Sequence, residues 1–273
     1  TSSRGLGDVY KRQVIYKERE KTTEGVVGFL NKICEMEFEK YISSSYEALA
    51  NYVNAYEQKM FMKRENIADR GIWTAKKRYI LNVWDSEGVR YAEPKLKMMG
   101  IEAVKSSTPA PCRTMIKDVL KLIMTKTEDD VIDFIDDCRT KFRSLPPEEI
   151  SFPRTVSNVK KYKSVNAIYE KGTPIHARGA LLFNHYVKKN KLTQKYSLIN
   201  NGEKIKFCYL KRPNPIQENV ISFIQQFPEE LNLDKYIDYD LQFEKSFLEP
   251  LKIILDSIGW QAERTVNLES FFV

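Results

Sequence analysis

Four successive residues, Lys76-Lys77-Arg78-Tyr79, join three cations to an aromatic ring, with Trp73 and Trp84 close by on either side. Long cationic side chains reach phosphate oxygens and minor-groove acceptors, and a tyrosine packs against sugar or base. The set therefore suits sequence-independent holding of a nucleic-acid backbone. In a strand, alternation projects Lys76 and Arg78 from one face and Lys77 and Tyr79 from the other. A solvated basic edge strand, of the kind lysine commonly protects, accounts for the same residues. From the physics of the residues alone, both readings stand.

The charge distribution bears on that choice. The 273-residue chain carries a formal net charge of +7, which by itself says little about partners. Between Ser151 and Arg212, however, fourteen Lys and Arg face two acids, Glu170 and Glu203, a net of +12. From Pro213 to Val273, four cations face eleven acids, a net of −7. A contiguous basic block of that size repels itself unless it meets a polyanion.

Other chemistries find less support. The four cysteines, Cys34, Cys112, Cys138 and Cys208, form no C-x-x-C pair, and the two histidines are His176 and His185. No zinc cage is expected, and thiols scattered in this way point to a reducing compartment and burial. A metal-dependent nuclease needs clustered carboxylates, which the sequence does not offer. No apolar run reaches the ~18 residues of a membrane span, and no signal peptide is visible.

These residues need elements to position them. Thr22 and Thr23 offer an N-cap to a long helix carrying Val26, Val27, Leu30, Ile33, Cys34, Tyr41 and Ile42 on an apolar stripe, with a break at Ser43–Ser45 and an end near Tyr56. Lys59–Asn66, Ile72–Trp84 and Val89–Met98 read as strands, with Asp85-Ser86-Glu87-Gly88 as the last turn. Helices follow at Pro111–Met124 and Thr127–Arg143, the second capped by Thr127 and opened by acids, and Pro146-Pro147 closes the pair. His176–Asn190 reads as a helix after Pro174. Tyr196–Ile199 and Lys204–Leu210 flank Asn200-Asn201-Gly202, a hairpin signal. Leu233–Ile258 reads as a long amphipathic helix, with Tyr239, Phe243, Phe247, Leu251, Ile254 and Ile258 on one face and a kink at Pro250.

Several of these motifs occur together in a known order. Lys76–Tyr79, then Trp84, then Arg90-Tyr91-Ala92-Glu93-Pro94-Lys95-Leu96-Lys97-Met98-Met99-Gly100-Ile101-Glu102, and Lys105-Ser106-Ser107-Thr108-Pro109, resemble the palm-to-thumb region of T-even-like phage family B DNA-directed DNA polymerases. Pro174-Ile175-His176-Ala177-Arg178-Gly179, the Asn-Gly hairpin and Glu244-Lys245-Ser246-Phe247-Leu248-Glu249-Pro250-Leu251 continue the resemblance, which covers nearly all of Val14 to Val273. It implies an α+β fold: part of a palm, with a long helix and antiparallel strands, leading into a mostly helical thumb. It implies primer–template duplex contacts by Lys76, Lys77, Arg78 and Tyr79 just behind the active site. Lys95, Lys97, Lys105, Ser106 and Ser107 would follow the backbone into the thumb. His176 and Arg178 would add contacts at a helix start, where backbone N–H groups favour phosphate; for His176 a satisfied structural role is the alternative. Lys160, Lys161 and Lys163 have no such matched role and read as general electrostatics.

The same resemblance assigns the chemistry elsewhere. Nucleotidyl transfer uses two aspartates that hold two divalent metals, and in this family one lies in an Asp-Thr-Asp-Ser motif followed by an apolar strand. Val14-Ile15-Tyr16 could be that strand, but no Asp-Thr-Asp occurs in the sequence. Glu65 matches a family carboxylate near the metal site and is accessory at best; the alternative is a surface acid paired with Arg64 or Lys63. Mg²⁺ is expected in the full-length enzyme and not in this chain, which is expected to be inactive alone. Val266–Val273 ends in Leu-x-x-Phe-Phe, and Leu268, Phe271 and Phe272 resemble a sliding-clamp-binding peptide; folding back onto the thumb is the alternative. Residues 1–13 look like a translated sequencing adaptor. The expected organisation is therefore 1–13 non-native, 14–104 palm, 105–262 thumb and 263–273 clamp-binding tail. The expected partners are primer–template duplex and a sliding clamp, with no membrane, in the cytoplasm of an infected bacterium. A non-catalytic DNA-binding replication accessory protein is the rival reading.

Overall fold

A computed structural model describes residues 22–264, and the chain divides after Met99 into two units. The first opens on helix α1, Thr23–Ile33, capped by Thr22, whose hydroxyl accepts the Gly25 N–H at 3.3 Å. The helix widens into a π-helical turn at Cys34–Phe38 and continues as α2, Glu39–Tyr52. The break expected at Ser43–Ser45 does not form. Ser44 and Ser45 donate to the Tyr41 carbonyl at 2.9 and 2.8 Å, which satisfies their hydroxyls within the helix.

An antiparallel meander follows: β1 Asn66–Ala75, β2 Arg78–Ser86 and β3 Val89–Met99. Two expectations are corrected here. Lys59–Asn66 is not a strand; the Gln58 side chain donates to the Met60 carbonyl at 2.6 Å and turns the chain locally. Ile72–Trp84 is two strands, because Lys77 takes a left-handed conformation (φ 59°) and reverses the chain between Ala75 and Arg78. The turn at Glu87-Gly88 forms as expected, with φ 51° and 88°. Ile67, Ile72, Ile80, Val83 and Val27 are buried in this unit.

In the second unit, α3 (Ala110–Thr125) and α4 (Glu128–Arg143) form the expected pair, and Thr127 and Asp130 close a reciprocal capping box. A short α5, Pro147–Ile150, leads into β4, Phe152–Thr155. Then come α6 (Ile175–Lys189), β5 (Lys204–Tyr209) and β6 (Val220–Phe223). The strands order as β4-β5-β6, all antiparallel. The Asn-Gly hairpin is a correction: Tyr196–Ile199 is not a strand. The Asn184 side chain takes both backbone groups of Ile199, at 2.8 and 2.7 Å, in place of a ladder partner. Gly202 N–H instead donates to Val156, at 2.7 Å.

The long terminal helix is also shorter than expected. It starts at Tyr239 after Asp238 caps Leu241, and runs as α7 (Tyr239–Phe243), a π-helical turn (Glu244–Leu248) and α8 (Glu249–Asp256). Pro250 has no N–H to donate to Ser246, and the turn just before it is the one that widens. Phe142, Phe243 and Phe247 pack through the core, Phe142 tilted against Phe243 with centroids 5.2 Å apart and Phe243 stacked on Phe247 at 4.9 Å. Gln242, fully buried, accepts from the Tyr209 N–H at 3.1 Å and donates to the Ile150 carbonyl at 2.7 Å, tying α7 to β5 and α5.

Candidate nucleic-acid interface

In the first unit the basic tetrad folds into a hairpin end. Lys76 and Lys77 are exposed in the turn, while Arg78 and Tyr79 begin β2 half-buried. The expected strand alternation of Lys76 with Arg78 is therefore replaced by a tip with two lysines. Tyr79 sits opposite Trp73 on one side and Met99 on the other. On β3, Lys97 faces Leu81 and Lys95 faces Val83, so both lysines share the sheet face of Tyr79. Lys95 Nζ lies 4.1 Å from the centre of the Tyr91 ring. Trp73 packs over Gly71, where a Cβ would stand 2.8 Å from Leu81 Cδ2.

Glu65 bonds Lys97, which holds its carboxyl below the usual range. It pairs with neither Arg64 nor Lys63. Arg64 instead donates to Asp85 Oδ1 at 2.6 Å and to Asn31 Oδ1 at 2.9 and 2.7 Å. Asp85 also accepts the Gly88 N–H at 3.0 Å, so the pair anchors the β2–β3 turn.

The second unit holds a cleft of about 240 Å³, whose lining includes Glu102, Lys105, Ser107, Arg154, Lys245 and Pro250. Lys105 pairs with Glu102 at 2.8 Å, and Lys245 with Glu249. Arg154 Nη1 donates to the Ser107 carbonyl at 3.2 Å, fixing the guanidinium against the Lys105–Pro109 loop. Ser106 is exposed in the same loop. His176 opens α6, and its carbonyl accepts from Ser222 Oγ at 3.1 Å. Burial, and then the Arg154 charge, pull the imidazole below its ordinary value. Lys105, Ser107, Arg154 and His176 thus belong to one neighbourhood.

Arg178 faces different partners. It donates to Asn219 Oδ1 at 2.5 Å and lies 5.7 Å from the centre of the Tyr169 ring. Its side chain is built into the unit as well as cationic. Sequence reasoning does not single out Arg154 or Lys245. Arg154 counts there only within the basic block, and Lys245 only within a motif. Their placement at one cleft depends on β4 and the π-helical turn, which no local pattern announces.

Burial pushes the Cys112 thiol up to about 11 and those of Cys138 and Cys208 to about 12, so none is a thiolate near neutral pH. Cys34 is half-buried. Among the described residues, no three or more His, Cys, Asp or Glu side chains are grouped to hold a metal ion. Glu65, committed to Lys97, does not fit a two-magnesium site by itself. No helix among the described residues is long and apolar enough to cross a membrane. Leu268, Phe271 and Phe272 lie outside the described residues.

The chain is mixed α and β, with cations on a sheet hairpin in the first unit and around a cleft in the second, and its sequence resembles phage DNA-directed DNA polymerases. It is 32% identical over 265 residues to the DNA-directed DNA polymerase of Escherichia phage RB69, a match covering 92% of this chain and 29% of that protein. It is 30% identical over 272 residues to the DNA-directed DNA polymerase of Enterobacteria phage T4, covering 93% and 29%. The chain thus spans about 29% of the length of the curated relatives it matches. No family model matches it.

Proposed function

We propose that this chain is the palm-to-thumb part of a family B replicative DNA polymerase, and that it grips the primer–template duplex behind the site of synthesis. The observation that carries this reading is the similarity to two phage polymerases over more than nine-tenths of the chain. The geometry supports it in each unit separately. The hairpin end presents Lys76 and Lys77, with Lys95 and Tyr79 on the sheet face behind it. The cleft gathers Lys105, Arg154 and Lys245 beside Ser106, Ser107 and His176. With His176 neutral at pH 7 and Lys105 and Lys245 paired with Glu102 and Glu249, Arg154 supplies most of the charge there. Such contacts hold any sequence, as copying requires.

The full-length enzyme would extend a primer 3′ end using two Mg²⁺ held by aspartates that this sequence lacks. This chain alone would supply grip without incorporation, in the cytoplasm of an infected bacterium. Leu268, Phe271 and Phe272 would tether the enzyme to a sliding clamp. L268A/F271A/F272A should abolish clamp capture and leave duplex affinity unchanged.

The test of the grip is fluorescence anisotropy with a primer–template duplex across a salt series. Wild type should bind with a steep negative slope of log affinity against log salt. K76A/K77A/R78A should weaken binding about 10-fold or more and flatten the slope by roughly 2 to 3, about 0.9 for each phosphate left without its cation. Equal binding by both proteins, each shown folded by its melting curve, would remove the tetrad from the interface.

A further inference from the structure

Residues 156–173 of the second unit form a segment that the duplex reading leaves without a role of its own. Lys160, Lys161, Lys163 and Lys171 are all exposed in it, and none has an ion-pair partner among the described residues. Four lysines on a loop free to move would each lose side-chain and backbone freedom on meeting a phosphate. A loop already held in place loses less.

The segment is held at both ends. Val156 is buried, donates to the Glu203 carbonyl at 3.0 Å and accepts from Gly202. Val159 is buried three residues on. At the far end the Glu170 N–H donates to the Tyr162 carbonyl at 2.9 Å, closing the loop on itself. Tyr169 then reaches out of the loop. Its hydroxyl donates to Glu218 Oε1 at 2.6 Å, and Arg178 caps its ring from α6. The other Glu218 oxygen accepts from Arg212 Nη2 at 2.9 Å, while Arg178 holds the adjacent Asn219. Glu218 and Asn219 directly precede β6, so this network joins the lysine loop to the edge of a packed sheet. Burial and the Glu218 hydrogen bond both raise the Tyr169 hydroxyl above its ordinary value, so it remains a donor across the physiological range.

We infer that Tyr169 is a positioning residue: bonded to Glu218 and capped by Arg178, it fixes the 156–173 loop so that Lys160, Lys161, Lys163 and Lys171 meet a DNA phosphate backbone as one surface. This deepens, and rests on, the duplex-gripping reading. It also gives Arg178 a role different from direct contact, since the guanidinium acts through Tyr169 and Asn219.

The test uses the whole chain and a primer–template duplex. Tyr169→Phe removes one hydroxyl and no charge. It should lower duplex affinity about 3- to 10-fold and flatten the salt slope. It should also speed hydrogen exchange of the 160–171 amides about tenfold, as expected when a bond to a charged acceptor is removed. In a K160A/K161A/K163A/K171A background the same substitution should cost no further affinity, because the lysines it positions are gone. Glu218→Gln, which keeps the side-chain shape, should act in the same direction. If Y169F binds as wild type does, or if its penalty persists undiminished in the lysine-free background, the positioning role is overturned and the duplex grip still stands. If the folded wild-type chain does not bind duplex at all, the duplex reading and this one fall together.

Discussion

Arg64 and Asp85 keep only 10% and 9% of their side-chain exposure, and each directs its hydrogen bonds inside the first unit. A buried charge that loses its partner retains its desolvation cost without the compensating attraction. Arg64→Ala should therefore destabilise the chain by about 3–5 kcal/mol, read from urea melts, with the unpaired Asp85 as the cause. At His176 the depression of the imidazole gives a pH signature. The folded form favours the neutral ring, so the stabilisation is complete above the ordinary value of 6.5 and is lost as pH falls through the lowered folded value. Proton NMR should place the His176 midpoint below that of a free histidine. Arg154→Gln should raise it part of the way only, because burial is the larger cause and remains. None of this is legible in the sequence. There Arg64 stands out only as a neighbour of Glu65, because which residue a charge meets is decided by how the chain folds and not by adjacency in it.

At the scale of elements, α6 lies so close to β6 that a Cβ at Gly179 would stand 2.9 Å from the Ser222 backbone nitrogen. Backbone cannot move aside as a flexible side chain can. Gly179→Ala should cost about 1–3 kcal/mol of overpacking and lower the melting temperature by roughly 2–4 °C per kcal/mol. A weaker duplex grip should accompany it, since His176 and Arg178 ride on the same helix. The helices α3, α4 and α6 are legible because each carries its own start signal and an apolar period of 3.6. The Asn-Gly signal misleads because a side chain, Asn184, takes the hydrogen bonds that a second strand would have made. The Lys76-Lys77 turn escapes notice for the opposite reason: it lacks every residue that usually marks a reversal.

For the molecule as a whole, the basic block of the sequence resolves into separate surfaces. Part of it is the cleft at Arg154, part the loop at Lys160–Lys171, and part is consumed internally. Lys195 bonds Glu230, and Lys206 donates to the Glu148 carbonyl at 2.9 Å. Charge counting finds the block but not this division, because the acids that neutralise its members come from other stretches of the chain. Mutating Lys195 to Ala should therefore change duplex affinity by less than about twofold, since an exposed ion pair contributes little to either stability or steering. An anisotropy titration beside K160A would separate an occupied lysine from an available one.

The left-handed lysine at the hairpin tip has a consequence for how freely this surface can be redesigned. A residue with a Cβ at φ 59° sits in a conformation that costs roughly 1 kcal/mol relative to glycine. Lys77→Gly should relieve that cost and raise thermal stability while discarding one charge that could meet phosphate. Selection for a tougher protein and selection for a tighter grip would then pull this single codon in opposite directions. A directed-evolution experiment run under heat alone should drift toward glycine or asparagine at Lys77, and one run under high salt with DNA capture should keep the lysine.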